Sequence, residues 1–426
     1  MTLASLIESL LGSDTPVAIE GYDGSRIGPA DARATIVLRS PDAVVRIVQN
    51  PGELGFARAY VTGELDVEGD MFEALSLRDL LPKIQLRPAQ WVQAAQLAGR
   101  AVLHRLPTPP EEAHLRGRRH TRQRDRAAVS HHYDVSNEFY RLFLGPSMTY
   151  SCALWSSPEA TLEDAQAAKY DLVCHKLDLR PGQRLLDVGC GWGGMVTHAA
   201  GHYGAEAVGV TLSARQVEWA SKAIAEAGMA SDGVVRLQDY RDIADGPYDA
   251  ISSIGMFEHV GVARLREYFA HLYELVEPGG RVLNHGISRQ PAPTSPARVR
   301  LPAPVQARIS PHTSRDSFLD RYVFPDGELH EVGSVVSVMQ EVGFEVRHVE
   351  SLREHYALTL RAWVANLESH WDEAVETVGA GRARVWRLYM AASALNFEAG
   401  RTSIHQVLAV RPEDGRSGIP LRPRLG

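Results

Sequence analysis

An acid and an imidazole stand together at the end of an apolar run, in the stretch SIGMFEHVG. Glu258 and His259 directly follow Met256 and Phe257 there. Carboxylates and histidines are the side chains that most often move protons in enzymes. An apolar setting raises the pKa of a carboxyl group, so we expect Glu258 to hold a proton more tightly than an exposed glutamate does. The stretch therefore predicts part of a binding or reaction site.

A second stretch with chemical potential is RLLDVGCGWGG, where a short apolar run passes into Gly189, Gly191, Gly193 and Gly194. Glycine allows the backbone to turn sharply and lets a ligand approach closely. The helix that follows offers free N–H groups to an anionic group. The spacing fits both the dinucleotide pattern GxGxxG and the tighter GxGxG pattern of methyltransferases. The glycines alone leave both cofactors open.

The residues after the next strands favour a methyltransferase. A nicotinamide site usually has an acidic residue at the end of the second strand, but AVGVTLS ends in Thr211, with Gln216 one turn into the next helix. Asp187, before the glycines, suits the ammonium group of an amino-acid-bearing cofactor. The stretch QDYRD begins at Gln238, after the third strand, where a side chain could contact an adenine edge.

The elements that must position these residues alternate between strand and helix. The short apolar runs RLLDVG, AVGVTLS, DAISSIG and RVLNHGIS are separated by helix-length amphipathic segments. This rhythm predicts an α/β fold with a parallel sheet and helices on both faces. FEVRHVES and HQVLAVRP supply at least one more strand pair. The N-terminal part mixes β-like runs, ATIVLRS and AVVRIV, with helical stretches, which predicts a smaller α+β domain.

The pattern of breaks predicts three parts. Residues 1–106 form an N-terminal accessory domain with a substrate, membrane or dimer role. Residues 107–126 form a proline- and arginine-rich linker, in which six arginines fall between Arg116 and Arg126. Residues 127–426 form the catalytic domain, and the proline-rich segment around 289–325 is a lipid-binding insertion. The arginines are either a solvated face or a docking surface for anionic headgroups.

Composition narrows the class of protein. The chain has 426 residues and a net charge of -7, which argues against a general nucleic-acid binder. Three cysteines without a CxxC pair, and no HExxH, predict neither disulfides nor a metal site and favour a reducing compartment. The first residues, MTLASLIESLLGSD, read as a short amphipathic helix rather than a signal peptide. No apolar run reaches the roughly 18 residues of a membrane-spanning helix.

Six motifs in order resemble one family. YSCALW, LLDVGCGWGG, VGVTLS, QDYRD, SIGMFEHVG and HYALTL are together similar to the cyclopropane-fatty-acyl-phospholipid synthases and mycolic acid methyltransferases. The resemblance covers about residues 130–410. It implies a Rossmann-like class I S-adenosylmethionine-dependent methyltransferase that acts on a double bond of an acyl chain. The stretch GELDVEGD, the pair Asn284 and Gly286, and Ser393 look more like actinobacterial members that make methylene-branched precursors of 10-methyl fatty acids.

The resemblance also implies a set of site residues. A bicarbonate ion is bound in this family at positions that match Cys152, Glu258, His285, Ile287 and Tyr356, which we take as the catalytic set. His259 has no such role and is read as a structural histidine. The residues expected to contact or lie near the cofactor are Tyr133, Tyr150, Ser151, Asp187, Gly189, Gly191, Gly193, Thr211, Leu212, Gln216, Gln238, Asp239 and Tyr240.

The partners implied are an unsaturated phospholipid and the anionic inner face of the membrane, which a cytoplasmic enzyme would touch peripherally. A homodimer, and a separate reductase acting on a methylene product, are further partners that the resemblance suggests. Two other functions stay open on the sequence alone. One is a nicotinamide-dependent oxidoreductase that uses the same glycine loop. The other is a non-catalytic lipid-binding module with a vestigial methyltransferase fold.

Overall fold

The computed structural model describes residues 2–12, 14–50, 52–79, 93, 96–97, 106–113, 121–122, 124, 136–290, 317–325 and 327–421. The α-helices of these residues are α1 (Leu3–Leu11), α2 (Pro41–Gln49), α3 (Glu53–Val61), α4 (Met71–Ser76), α5 (Asn137–Leu144), α6 (Leu162–Leu177), α7 (Gly194–Tyr203), α8 (Ala214–Glu226), α9 (Leu265–Leu275), α10 (Phe318–Tyr322), α11 (Val332–Glu341), α12 (Arg353–Ser369), α13 (Trp371–Val378) and α14 (Ala380–Glu398). The strands are β1 (Ala18–Glu20), β2 (Arg26–Ile27), β3 (Ala34–Leu38), β4 (Leu65–Gly69), β5 (Arg184–Val188), β6 (Glu206–Thr211), β7 (Gly233–Leu237), β8 (Tyr248–Ile254), β9 (Val276–Arg289), β10 (Glu345–Ser351) and β11 (Thr402–Val410).

The chain divides into two compact units, each built from segments that are separate in the sequence. The first contains residues 1–114, 296–325 and 371–395, and the second contains the remainder. Of the described residues, 317–325 and 371–395 thus group with the N-terminal ones. Within the first unit, Arg384 of α14 donates to the Tyr60 carbonyl and to Asp66. Such contacts join residues more than 300 positions apart.

The first unit has a four-stranded sheet in the order β2-β1-β3-β4. ATIVL forms β3 as predicted, and the first residues form α1, which the Thr2 side chain caps. AVVRIV was expected to be β-like, and this expectation is wrong, because the run lies inside α2. Pro41 occupies the first turn, where its fixed φ favours a helix, and Ala43, Val44 and Val45 after it are buried.

The second unit has a seven-stranded sheet in the order β10-β11-β9-β8-β5-β6-β7. Strands β5 to β9 run parallel, whereas β11 is antiparallel to both β9 and β10. Adjacent residues such as Leu185 and Leu186 enter separate apolar clusters, so both faces of the sheet are covered. Residues of α9 and α11 join one cluster, and residues of α6, α7 and α8 join the other. The predicted α/β fold is confirmed.

The strand order reverses beside β5, which has β6 on one side and β8 on the other. In open α/β sheets the ligand crevice lies at such a point, outside the carboxyl ends of the strands. The glycine turn follows β5, and the acid–imidazole pair of SIGMFEHVG follows β8. None of the described helices is both long and apolar enough to cross a bilayer.

Candidate active site

The turn after β5 needs glycine for two different reasons. Gly189, Gly191 and Gly193 all have positive φ, a conformation that other residues rarely adopt. A Cβ at Gly193 would lie 2.9 Å from the Cβ of Ala220, so this glycine lets α7 and α8 pack closely. A Cβ at Gly191 would meet nothing within 4 Å. Gly191 therefore borders space that none of the described residues fills, where a ligand can approach the backbone.

Asp187, near the end of β5, is a buried carboxylate. Ser252 on β8 donates to its Oδ1 at 2.7 Å. Burial raises the pKa of Asp187 to about 6, against the opposing effects of the Ser252 hydrogen bond and the Lys169 charge. The group is therefore mostly ionised at neutral pH, as an acceptor for an ammonium group must be.

The residues after β6 form a small hydrogen-bonded cluster. Thr211 donates to Oε1 of Gln216 at 2.6 Å, and both side chains are buried. Ser213 caps α8 by accepting the Gln216 backbone N–H. Leu212 lies half-buried between them. Because its carbonyl oxygen is engaged by Thr211, Gln216 keeps its amide group as the donor end.

The residues after β7 form a turn at the same edge of the sheet. Gln238 donates to the Asp242 carbonyl at 2.9 Å. Asp239 caps the turn and forms a two-point ion pair with Arg241, which occupies its carboxylate. The Tyr240 ring meets Tyr268 edge to face at 5.0 Å. All three predicted cofactor residues of this stretch are half-buried.

A cavity of about 30 Å³ lies in the second unit and joins distant parts of the chain. A water needs roughly 10–15 Å³ on this measure, so the cavity has room for a small polyatomic ion. It contains all five residues of the predicted catalytic set. The lining residues are Tyr150, Ser151, Cys152, Ile254, Gly255, Glu258, His285, Ile287, Tyr356 and Ile404.

Glu258 presents one satisfied and one unsatisfied oxygen. Its Oε1 accepts the Ile287 backbone N–H at 2.7 Å, whereas Oε2 is buried and has no partner among the described residues. Burial raises the pKa of Glu258 to about 7, although the Ile287 N–H opposes the shift. Glu258 can therefore hold or release a proton near neutral pH, as its apolar strand end predicted.

His285 on β9 is fully buried, and burial lowers the pKa of its imidazole well below the ordinary value. The ring is consequently neutral. Gln406 Nε2 lies 3.4 Å from Nδ1, and Nε2 of the ring has no partner among the described residues. The cavity is thus lined by two residues, Glu258 and His285, that each carry an unsatisfied buried polar atom.

Cys152 and Tyr356 also line the cavity. The Cys152 thiol contacts the carbonyls of Ala153 at 3.3 Å and Leu352 at 3.7 Å, and burial raises the thiol pKa. A neutral thiol is a poor nucleophile. The Tyr356 ring packs against Phe397 at 4.8 Å. These residues can shape the cavity and offer weak or neutral hydrogen bonds.

Two polar residues of α6 lie beside the cavity residue Ser151 and were not predicted from the sequence. Lys169 is completely buried and donates to Ser151 Oγ at 3.0 Å. Gln166 donates to the Ser151 carbonyl at 3.1 Å. Burial lowers the pKa of Lys169 to about 7, while the nearby Asp187 raises it. Their spacing of three residues places both on one side of α6, among buried apolar residues such as Ala165 and Val173, and is the signal that could have found them.

Aromatic rings adjoin the cavity through Tyr150. Its ring lies 5.2 Å from Trp363 and 5.9 Å from Tyr140, whose ring lies 4.7 Å from Trp192 of the glycine turn. The ring of Phe257 packs instead against His330, at 5.3 Å. The rings of Tyr150 and its neighbours can therefore surround a cationic group near the glycine turn.

Other residues singled out from the sequence lie outside the described residues or outside the cavity. Tyr133, most of the arginine cluster and residues 291–316 of the insertion lie outside the described residues. His259 lies in the short turn 257–259 and is not among the residues of the cavity. Ile404 was not predicted, although it is the register partner of Ile287 across β9 and β11. No cluster of metal-binding side chains occurs in the part of the chain that the structure describes.

The sheet order, the glycine turn and the polar residues after β6 and β7 define an S-adenosylmethionine-dependent methyltransferase. The family model described as mycolic acid cyclopropane synthetase matches residues 120–407. The chain belongs to this family. The predicted methyltransferase class is confirmed, and the nicotinamide oxidoreductase and the non-catalytic module are set aside.

Individual relatives agree with this assignment. The chain is 43% identical to the probable fatty acid methyltransferase Rv3720 of Mycobacterium tuberculosis, over 99% of this chain and 98% of the relative. It is 32% identical to the cyclopropane-fatty-acyl-phospholipid synthase of Escherichia coli, over 95% and 93%. The crystal structure of mycolic acid cyclopropane synthase CmaA1, complexed with SAH and CTAB, matches 67% of this chain and 97% of its own, with 34% identity and a TM-score of 0.60.

Proposed function

We propose that this enzyme transfers a methyl or methylene group from S-adenosylmethionine to the double bond of an unsaturated acyl chain in a phospholipid. The observation that carries the proposal is the cavity lined by Glu258 and His285, each with an unsatisfied buried polar atom, beside Tyr150 and Ser151. The names of the relatives support an acyl substrate, because one is a probable fatty acid methyltransferase and another a phospholipid synthase.

The residues around the glycine turn fit S-adenosylmethionine. Gly191 and Gly255 both have positive φ, and a Cβ at either would meet no described residue within 4 Å. Asp187 is an ionised acceptor for the ammonium group, and Gln216 and Gln238 supply amide groups after β6 and β7. When bound, the cofactor supplies an electrophilic sulfonium methyl group. Gln166 and Lys169 hold Ser151 in place, so the approach to the cofactor is fixed before the substrate enters.

The cavity fits bicarbonate. Glu258 Oε2 and His285 Nε2 are buried polar atoms without partners among the described residues, and buried polar groups normally have one. Glu258 accepts the ion's O–H when ionised and donates to it when protonated, and its pKa near 7 permits either role. The neutral ring of His285 donates without adding charge. When bound, bicarbonate supplies a small base for a proton on carbon.

Methyl transfer to an alkene leaves positive charge on the acyl chain, so the site must stabilise a cation and exclude water. Tyr150 and Tyr356 line the cavity, and Trp363 packs against both. Each aromatic face that meets the cation contributes about 0.5–2 kcal/mol. The thiol of Cys152 is neutral and does not compete for the methyl group.

The product is a cyclopropane or a methylene-branched chain, according to whether the cation closes onto the new methyl or first undergoes a hydride shift. A methylene product requires a separate reductase to give a 10-methyl chain. Because the substrate lies in a bilayer, we expect a cytoplasmic enzyme that contacts the anionic inner face of the membrane peripherally. We also expect the enzyme to form a homodimer.

Vesicles of phospholipid with oleoyl chains, incubated with methyl-labelled cofactor, test the substrate. We expect label in the acyl chains of the intact phospholipid, and ozonolysis then separates a ring from a methylene branch. Free oleic acid and oleoyl thioesters are the comparison substrates. Label that enters only these, and never the phospholipid, would overturn the assignment of the phospholipid as substrate.

A further inference from the structure

A row of polar side chains crosses three strands behind the cavity. Gln406 on β11 is the register partner of His285 on β9 and of Glu350 on β10. Lys176, from α6, donates to Oε1 of Gln406 at 2.7 Å and forms an ion pair with Glu350. Lys176, Gln406 and His285 are completely buried, whereas the Glu350 side chain is partly exposed.

The ammonium group of Lys176 fixes the orientation of Gln406. A lysine ammonium has three donors and no acceptor, so the group that faces it must be the carbonyl oxygen of the amide. The NH₂ of Gln406 consequently faces His285 Nδ1, 3.4 Å away. The orientation of a buried amide, which is otherwise ambiguous, is thus determined by charge.

The orientation of Gln406 determines the tautomer of His285. Only an unprotonated Nδ1 can accept from the amide NH₂, and the buried ring is neutral, because burial lowers its pKa. A neutral imidazole with a bare Nδ1 carries its hydrogen on Nε2. The other tautomer would set two donors, Nδ1–H and the amide NH₂, against each other.

We propose that Lys176 and Gln406 are positioning residues that hold His285 in the Nε2–H tautomer, so that its ring offers a hydrogen-bond donor to an anion in the cavity. Glu350 balances the charge of Lys176. The inference rests on the proposed function in one respect, namely that an oxyanion occupies the cavity beside His285.

The tautomer is measurable without any assay of activity. In protein labelled with ¹⁵N-histidine, the two ring nitrogens of a neutral imidazole have well-separated shifts, and the signals of His285 are those lost in His285→Gln. We expect Nε2 to carry the proton and Nδ1 to be bare. A protonated Nδ1 in the unmodified enzyme would overturn the inference, whatever its activity.

Gln406→Glu directly tests this relay, which runs from Lys176 through Gln406 to His285. A carboxylate at position 406 still pairs with Lys176 but can only accept from His285. We expect the proton of the ring to move to Nδ1 and kcat to fall roughly ten- to a hundredfold, as when the partners that orient histidines at metal sites are lost. The KM for S-adenosylmethionine should not change. Gln340→Glu, at an exposed position of α11, adds the same charge and should change neither the tautomer of His285 nor kcat.

The results separate this inference from the proposed function. An Nε2–H tautomer together with no methyl transfer to any phospholipid supports the relay and refutes the substrate. Active methyl transfer with an unchanged tautomer and unchanged kcat in a folded Gln406→Glu variant overturns the relay alone. If that variant does not fold, the tautomer in the unmodified enzyme still decides.

Discussion

Glu258 accepts the backbone N–H of Ile287 through Oε1 at 2.7 Å, and this bond leaves its other oxygen buried and without a partner among the described residues. The contact joins the end of β8 to β9, the strand that carries His285. It therefore fixes the acid relative to the imidazole, although the two residues lie in different motifs. His259, the neighbour of Glu258 in sequence, is not part of the cavity.

Glu258→Gln should keep the fold and lose most of the activity. The amide oxygen can still accept from Ile287, but the side chain can no longer change its protonation. We expect kcat to fall at least about a hundredfold, the lower range for loss of an acid–base group, with little change in cofactor affinity. Steady-state kinetics and calorimetric binding of S-adenosylhomocysteine measure the two effects. Glu341→Gln, at an exposed helix position, is the matched control.

The raised pKa of Glu258 also predicts how stability depends on pH. The unfolded chain releases the proton of this carboxyl near pH 4.5, whereas the folded protein keeps it to about pH 7. The folded state thus binds more protons in this range, and the contribution of Glu258 falls as the pH rises from 4.5 to 7. The loss is on the order of 3 kcal/mol.

Denaturant unfolding of the natural protein and Glu258→Gln at several pH values measures this effect. The natural protein should lose stability relative to the variant as the pH rises. A difference in unfolding free energy that stays constant between pH 4.5 and 7 would show that Glu258 has an ordinary pKa.

Lys169→Met should weaken binding of the cofactor. The substitution keeps the length of the side chain but removes the donor to Ser151 and the positive charge that Lys169 places near Asp187. We expect the Kd for S-adenosylhomocysteine to rise about tenfold or more, since a hydrogen bond to a charged group contributes about 1.5–3 kcal/mol. Lys222→Met removes an exposed lysine of α8 and should leave the Kd unchanged. Equal affinities in the two variants would refute a role for Lys169.

Gly286→Ala should disturb the site through Phe257. A Cβ at this position would lie 1.7 Å from Cε1 of the Phe257 ring, so the ring must move. We expect a loss of about 1–3 kcal/mol in the free energy of unfolding, the usual cost of overpacking. Gly333→Ala, where a Cβ meets nothing within 4 Å, is the control and should be neutral or slightly stabilising. Thermal unfolding of both variants compares them.

Much of the second unit could be predicted from sequence because its signals are local. The glycines after β5 need positive φ, and the apolar runs of β5, β6 and β8 are bounded by turn residues. The prediction that AVVRIV is β-like was wrong, because a short apolar segment fits a strand or a buried helix equally well. The Pro41 that precedes it was the sign of a helix start.

The contacts that complete the site could not be predicted, because they join residues far apart in the chain. Lys176 and Gln406 are 230 positions apart, and Lys169 meets Ser151 only because α6 packs back over the turn before it. The grouping of residues 371–395 with the N-terminal unit is likewise a tertiary property. Composition and periodicity do not indicate which distant residues will contact each other.

The most direct test of the central claim is the mass of phospholipid acyl chains after incubation with methyl-labelled S-adenosylmethionine. Dioleoyl phospholipid should gain one CH₂ that carries the label, and the gain should fall about a hundredfold or more with Glu258→Gln. Dipalmitoyl phospholipid, which has no double bond, should gain nothing. Equal labelling of the saturated and unsaturated lipids, or of neither, would contradict methyl transfer to an acyl double bond.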